Sequence, residues 1–356
     1  MNSRNVKIVI LIGILCITII RCLHFSWAAP PQRWDEQTNE QVISELRDSG
    51  NTFFLTYTHK PFFEKPPVWY AVVATISRIT HISPLVAARL LSAVSGFFII
   101  LLSCTVAYRW WGFAAGIITW SVLISTNHLF ITNPNSVFST HTVRSADSDI
   151  FFMLLMLVAS VLCVYAHASR KTYIAIGCIT AIAVLTKGPL AMVPIVTATI
   201  IPYLSQSQKY TPNIRFAWVY ATLVPLLWFL YMTVNFGSQF ITEHIGYHIV
   251  QRVITPIETH TGSVFFYMRL LSMKPLFLFF EVYLLSVFVY FRYKIIRSDI
   301  PLMHVCTTSI VLLCIPSVVQ TKLAWYILPF YPYAALTIAG IVTTSKVFRT
   351  FSAKWI

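Results

Sequence analysis

The chain has 356 residues, 57% of them hydrophobic and only 11% charged, with 26 Lys and Arg against 12 Asp and Glu. At a mean hydropathy of +0.70 the apolar side chains exceed what a soluble core absorbs, which excludes a water-soluble globular enzyme. The formal charge of +14 does not mark a nucleic-acid binder, because the basic residues stand singly between apolar runs instead of forming a patch with aromatics.

The first apolar run, 8–20, follows a weakly basic start (Arg4, Lys7) and resembles a signal peptide in length. Ala28-Ala29-Pro30 is a poor cleavage site because of its proline, so the run reads as an uncleaved anchor. A polar stretch, 34–67, comes next and holds Asp35, Glu36, Glu40, Glu45, Asp48 and Glu64, six of the 12 acidic residues. Within it the pattern predicts a helix over 37–47, for which Asp35 and Glu36 are placed as amino-terminal caps. A second short helix, 67–79, is expected on the membrane surface, with Trp69 and Tyr70 at interface height. Further apolar spans are predicted at 85–108, 113–131, 150–167, 173–185, 190–204, 216–236, 275–291, 301–319 and 327–343, roughly ten crossings with the first. The seven cysteines lie in or beside these runs, without a CxxC pair or the spacing of a metal site.

With the amino terminus inside, one set of connections carries Arg109, Arg170, Lys171, Lys209, Arg215, Arg292, Lys294, Arg297, Lys346, Arg349 and Lys354, opposed only by Asp299. That asymmetry is the positive-inside signature and puts the acidic connections on the far, extracytoplasmic side. The two long far-side loops are 24–84 and 237–274 in a single module spanning 1–356, with no separate soluble carboxy-terminal domain expected.

Candidate chemistry gathers on that far side: Asp35 and Glu36, Glu64 and Lys65, Arg144 and Asp149, Lys187 in LTKGP, Arg252 and His260, and Lys322. Charge beside apolar spans is costly unless paired or hydrated, and a shared polar cavity accounts for all of it. Lys187 sits between two apolar runs ahead of Gly188 and Pro189, a position that also suits a lysine snorkelling to the interface. Lys65, Lys187 and Lys322 with Arg252 would form a phosphate or pyrophosphate clamp. Asp35, with Glu36 beside it, is a candidate general base whose pKa a low-dielectric cavity would raise. Asp147 and Asp149 also suit the amino-terminal cap of the following span. His244, His248 and His260 make a divalent metal geometrically conceivable, but there is no HExxH motif, and histidines on an amphipathic loop helix are the plainer interpretation.

In order, the acid pair after the first span, FEKPP at 63–67, AARL at 87–90, Arg144 five residues before Asp149, LTKGP at 185–189, Glu243 to Tyr267 and Lys322 to Pro332 resemble the membrane glycosyltransferases of the GT-C class. The nearer likeness is to the protein O-mannosyltransferase and lipid A aminoarabinose transferase branch. The resemblance implies an all-α polytopic fold with juxtamembrane helices in the long first loop. It also implies transfer of a sugar, usually with inversion, from a polyprenyl-phosphate donor to an extracytoplasmic glycolipid, glycan or protein hydroxyl. By the same resemblance Asp35 activates the acceptor, Glu64 lies at the site mouth, and Lys65, Lys187 and Arg252 hold the donor phosphate. Tyr326 and Tyr331 are implied at the phosphate or cavity wall, and Asp149 as the second-loop acid. Asn39 departs from the pattern, standing where an aromatic often follows the acid pair. No cofactor is expected to be required, and the partners expected are the lipid-linked donor, membrane lipid and the acceptor. A bacterial inner membrane with a periplasmic site is the expected setting. The alternative from another class is a transporter or flippase for a lipid-linked anionic headgroup, against which stand the missing inverted repeat and the long acidic external loop.

Overall fold

The computed structural model describes residues 3–23, 27, 29–32, 34–50, 54–130, 141–165, 169–205, 213–273, 276–293 and 299–345. Lys209, Lys294, Arg297, Lys346, Arg349, Lys354 and the predicted span ends at 131, 166–167 and 275 lie outside them.

The elements run α1 (Ser3–Leu23), α2 (Asp35–Ser49), β1 (Leu55–Tyr57), β2 (Lys60–Phe62), α3 (Val68–Thr80), α4 (Pro84–Trp111) and α5 (Phe113–Ser125). Then come α6 (Asp149–Tyr165), α7 (Arg170–Val184), α8 (Val193–Ser205), α9 (Ile214–Phe240), α10 (Arg252–Ile254), α11 (Phe266–Leu271), α12 (Phe277–Tyr293), α13 (Ile300–Val318) and α14 (Phe330–Thr344). Five helical stretches are long and apolar enough to cross a membrane: Asn5–Leu23, Pro84–Trp111, Ile214–Ile254, Ile300–Val318 and Ala324–Thr344. The chain is an integral membrane protein. The other apolar runs form shorter helices; α5, for example, stops at Ser125, where a 3-10 turn (Asn127–Leu129) takes over.

Local sequence sets several of the ends. Ser83 caps α4 by accepting from Val86 N–H at 3.3 Å, ahead of Pro84. Asp299 caps α13 by accepting from Leu302 N–H at 2.9 Å. Gly112, at φ 92°, lets α5 begin immediately after α4 ends.

α14 lies at the centre of the bundle, with 83% of its apolar window buried, against α4, α5, α12 and α13. α1, with 11% buried, presents Val9, Ile12 and Ile20 outward, as a lipid-facing helix does. α7 packs on α9 through Gly177, where a Cβ would stand 2.7 Å from the Ala217 carbonyl oxygen.

Two features depart from the sequence reading. The first polar loop contains a hairpin, Leu55 opposite Phe62 and Tyr57 opposite Lys60, whose turn residues Thr58 and His59 both have positive φ. The stretch expected to leave the membrane as a loop at 237 stays helical to Ile254, after a kink at Gly237 (φ 56°, ψ −135°) and through a π-helix, Ile241–Gln251. It stays helical because Phe240 and His244 are buried, stacked on each other and held beside Phe63 and Trp228.

Candidate active site

Five connections meet at one end of the bundle. Val68 N–H donates to the Leu185 carbonyl at 3.0 Å, which ties the FEKPP stretch to the turn bearing Lys187. On the other side, Gln320 and Thr321 N–H donate to the carbonyls of Val253 and Arg252, both at 3.1 Å, which seats the segment before α14 on the end of α10.

Asp35, the first residue of α2, meets His141, whose ring Nε2 donates to Asp35 Oδ2 at 3.2 Å. His141 Nδ1 donates to Asp149 Oδ2 at 2.7 Å, and the other oxygen of Asp149 pairs with Lys187. Lys65 Nζ stands 3.7 Å from both Asp35 Oδ1 and Glu64 Oε1. Asp147 Oδ2 accepts the His141 backbone N–H at 2.6 Å. Trp325, in a 3-10 turn (Ala324–Ile327), stacks on the His141 ring at 4.0 Å between centroids. The next residue, Tyr326, accepts from Arg252 Nη1 at 3.1 Å. Arg252 Nε is buried without a partner among the described residues.

The charges of this group depend on one another. Burial opposes ionisation of Asp35, but the hydrogen bond from His141 and the charges of Lys65, His141 and Lys187 outweigh it and hold the carboxyl well below the usual range. This reverses the expectation that the cavity would raise it, because the His141 hydrogen bond and three cations together outweigh the burial. Burial likewise disfavours the charged ring of His141; Asp147, Asp149 and the hydrogen bonds to Asp149 and Asp35 prevail and push it up to about 9. Burial, with the charge of Asp35 added, pushes Asp147 up, against the pull of His141 and Lys65. Lys65 is held charged: burial opposes this, and Tyr70, Glu64, Asp35 and Asp147 overcome it.

Other expected site residues turn elsewhere. Glu36 is fully buried and pairs with Arg89 of α4 at 2.6 Å, also accepting from Ala146 N–H at 2.7 Å and Gln32 N–H at 2.9 Å. Its carboxylate therefore holds the first loop onto α4 and the 141–149 turn, and does not face the cluster. Lys322 donates to the carbonyls of Pro316, Ser317 and Val319, so its ammonium closes the carboxy-terminal end of α13 instead of facing a phosphate. Tyr331 is buried in the bundle with its hydroxyl 2.7 Å from His128 Nδ1. Arg144 donates to the Arg21 carbonyl at the end of α1, at 2.8 Å from Nη2. His260 takes part through its carbonyl, which accepts from Lys322 N–H at 2.9 Å.

Arg89 and Trp325 lie inside the AARL and Lys322–Pro332 motifs without having been given a role, and His141 was not singled out from sequence. His141 lies three residues before Arg144 on a connection already marked as carrying site residues, and that placement was its one sequence signal. Asn39, the departure from the family pattern, is buried and donates to the Ala146 carbonyl at 2.8 Å and to Asp147 at 3.3 Å, while accepting from Tyr70 at 2.6 Å. Among the described residues, Asp35, His141 and Asp147 offer ligand atoms within 4.8 Å of one another, and none of His244, His248 and His260 joins a metal-sized group. Both ring nitrogens of His141 already donate to carboxylates, so a metal there would have to displace a proton and one of those partners.

No protein-family model matches the chain, and no curated protein matches its sequence. Its structure is similar to that of ArnT from Cupriavidus metallidurans bound to undecaprenyl phosphate, with a TM-score of 0.75 and 19% identity, over 99% of this chain and 62% of that one. It is also similar to the Archaeoglobus fulgidus oligosaccharyltransferase in the apo form, with a TM-score of 0.62 and 12% identity, over 98% of this chain and 52% of that one. AglB from the same organism, in complex with an inhibitory peptide and a dolichol-phosphate, gives a TM-score of 0.55 at 12% identity, over 96% and 51%. The chain thus spans 62% or less of the length of these solved relatives. At such identities the likeness is one of fold. ArnT and AglB are both GT-C glycosyltransferases, and the chain has the GT-C fold that the order of its motifs implied.

Proposed function

We propose that the chain is a glycosyltransferase that takes a hexosyl or pentosyl group from a polyprenyl-phosphate carrier and passes it, with inversion, to an extracytoplasmic acceptor. The observation that carries this reading is an ionised Asp35, with Oδ1 beyond hydrogen-bond distance of Lys65, set among the cations Lys65, His141 and Lys187 at one end of a GT-C fold. The solved relatives bound to undecaprenyl phosphate and dolichol-phosphate support a lipid-phosphate donor.

Lys65, Arg252 and Tyr326 would hold the donor phosphate, with Glu64 steadying Lys65. Lys187, committed to Asp149, keeps two further N–H donors for the rim of the site. As the acceptor oxygen attacks the anomeric carbon, the bond from that carbon to the phosphate oxygen breaks and its electron pair leaves with the carrier. Fixed cations stabilise the charge that grows on the phosphate, an effect of about 3–4 kcal/mol per well-aimed donor. A hydroxyl acceptor becomes strongly acidic once its new bond is forming, so Asp35 can take the proton late even though it is a weak base. If the acceptor is itself a phosphate, no proton moves and Asp35 orients it. We place the site on the extracytoplasmic face, periplasmic in a bacterial inner membrane, because the positive-inside pattern runs that way.

Native mass spectrometry of the protein in mild detergent tests the proposal. The expected result is a retained polyprenyl-phosphate sugar, lost in Arg252→Ala and accumulated in Asp35→Asn. Ordinary phospholipid alone, equal in all three proteins, would sink it.

A further inference from the structure

His141 is built unlike the other buried histidines of the bundle. His128 meets Tyr331 through Nδ1, His244 meets the Phe63 carbonyl through Nδ1, and His304 meets Ser160 through Nε2 while its Nδ1 has no partner among the described residues. Each meets one neutral oxygen, as a packing histidine does. The ring of His141 instead spans two carboxylates, Asp35 of α2 and Asp149 of α6, and so bridges two elements distant in sequence. Three further constraints fix it. Its backbone is in the left-handed region at φ 63°, a conformation a residue with a Cβ keeps only when its surroundings demand it. Its own N–H is held by Asp147, and its ring face is covered by Trp325. Trp34, immediately before Asp35, is also at positive φ, so the contact joins a residue in constrained backbone to one that directly follows such a residue.

We propose that His141 is a positioning residue for Asp35: it clamps Oδ2 so that Oδ1 stays directed at the acceptor instead of collapsing onto Lys65. The proposal rests on the glycosyl-transfer function above. The charged and titratable groups facing the ring are Asp35 from α2, Asp147 and Asp149 from its own connection and α6, with Lys65 and Lys187 behind the carboxylates and Trp325 stacked on the ring. Loss of the clamp removes the hydrogen bond that holds Oδ2, and the Asp35 carboxylate can then rotate into direct contact with Lys65, 3.7 Å away. One ion pair would then occupy both the acceptor-facing oxygen and a phosphate-holding cation.

The test uses the full-length protein and follows conversion of the retained sugar-charged carrier to free carrier when acceptor membranes are added. His141→Ala is expected to keep the charged carrier and to discharge it about 100-fold more slowly, the scale of a misplacement near 1 Å. Imidazole at millimolar concentration should refill the space and restore at least about ten-fold of that loss. A variant that stays folded at the assay temperature but shows no imidazole rescue overturns the proposal, since a merely structural histidine would not respond to the free ring. A second measurement is independent of turnover and of whether the variant folds: nitrogen-15 histidine spectra of the unmodified protein. Both His141 ring nitrogens should be protonated at pH 7, with Nε2 alone shifting in Asp35→Asn; a neutral ring overturns the clamp. If the unmodified protein retains no charged carrier while the spectra show the bridge, the glycosyl-transfer function fails and the clamp stands.

Discussion

Glu36 is adjacent to Asp35 in sequence, yet the structure gives it a mechanical task, and the difference is measurable. Its side chain is 0% exposed and that of Arg89 4%, so neither charge is screened by water. Oε1 accepts from Arg89 Nε at 3.2 Å and Ala146 N–H at 2.7 Å; Oε2 accepts from Arg89 Nη2 at 2.6 Å and Gln32 N–H at 2.9 Å. In Glu36→Gln one of those oxygens becomes an amide that can only donate, so the two donors on its side lose their acceptor. Arg89 keeps the carbonyls of Trp27, Ala29 and Pro30 at 2.8–3.3 Å and the longer-range attraction of Glu40, but loses the carboxylate it is directly paired with. Breaking a buried pair from one side costs about 3–5 kcal/mol, a large share of the roughly 5–15 kcal/mol that keeps a protein folded. The double variant Glu36→Leu with Arg89→Leu leaves no orphaned charge and should recover part of that loss. Thermal melting in detergent, followed by tryptophan fluorescence, measures both variants. If Glu36→Gln melted with the unmodified protein while sugar transfer collapsed, Glu36 would be catalytic and the mechanical assignment wrong.

Three other outcomes are expected. His141 in the folded protein titrates at about 9, above its ordinary value of about 6.5, so its stabilising contribution is complete below pH 6.5 and is lost as pH rises through 9. The melting difference between the unmodified protein and His141→Ala should therefore be full at pH 6 and nearly gone by pH 10; a constant difference would refute the charged bridge. Lys322→Met removes an ammonium that closes α13, a loss of about 1.5–3 kcal/mol for hydrogen bonds to a charged group, while the retained carrier should be unchanged; loss of the carrier without loss of stability would return Lys322 to the phosphate clamp. Prolonged chelation should leave carrier discharge intact, because Lys65, Lys187 and the His141 ring already balance the carboxylates; recovery that required an added divalent ion would contradict this.

Much of the fold was legible because lipid permits few solutions. Backbone polar groups must be satisfied inside each span, so apolar runs become helices, and the observed helices fall within a few residues of most predicted runs. The β1–β2 hairpin was not legible: its strands are three residues each and its turn, Thr58-His59, has no glycine or asparagine to announce positive φ. A helix carrying His244 and His248 was legible, but its continuity with α9 was not, because polar residues such as Glu243 and His248 marked 237–254 as an exposed loop, whereas Phe240 and His244 bury against Trp228 and Phe63.

By itself the sequence placed Asp35, Glu36, Glu64, Lys65, Arg144, Asp149, Lys187, Arg252, His260 and Lys322 on one side of the membrane, since charge in a membrane chain is driven to the ends of its spans. It did not determine which of those side chains meet. Asp35 and Glu36 are consecutive on α2, and a helix turns about 100° per residue, so when one faces the cavity the other points towards α4. Both are acids in the same setting, and only the packing of α2 on α3 and α4 selects between them. The same holds for His141, which becomes a bridge only when α2 and α6 come within reach of one imidazole ring, a distance that exists in the tertiary structure and has no counterpart along the chain.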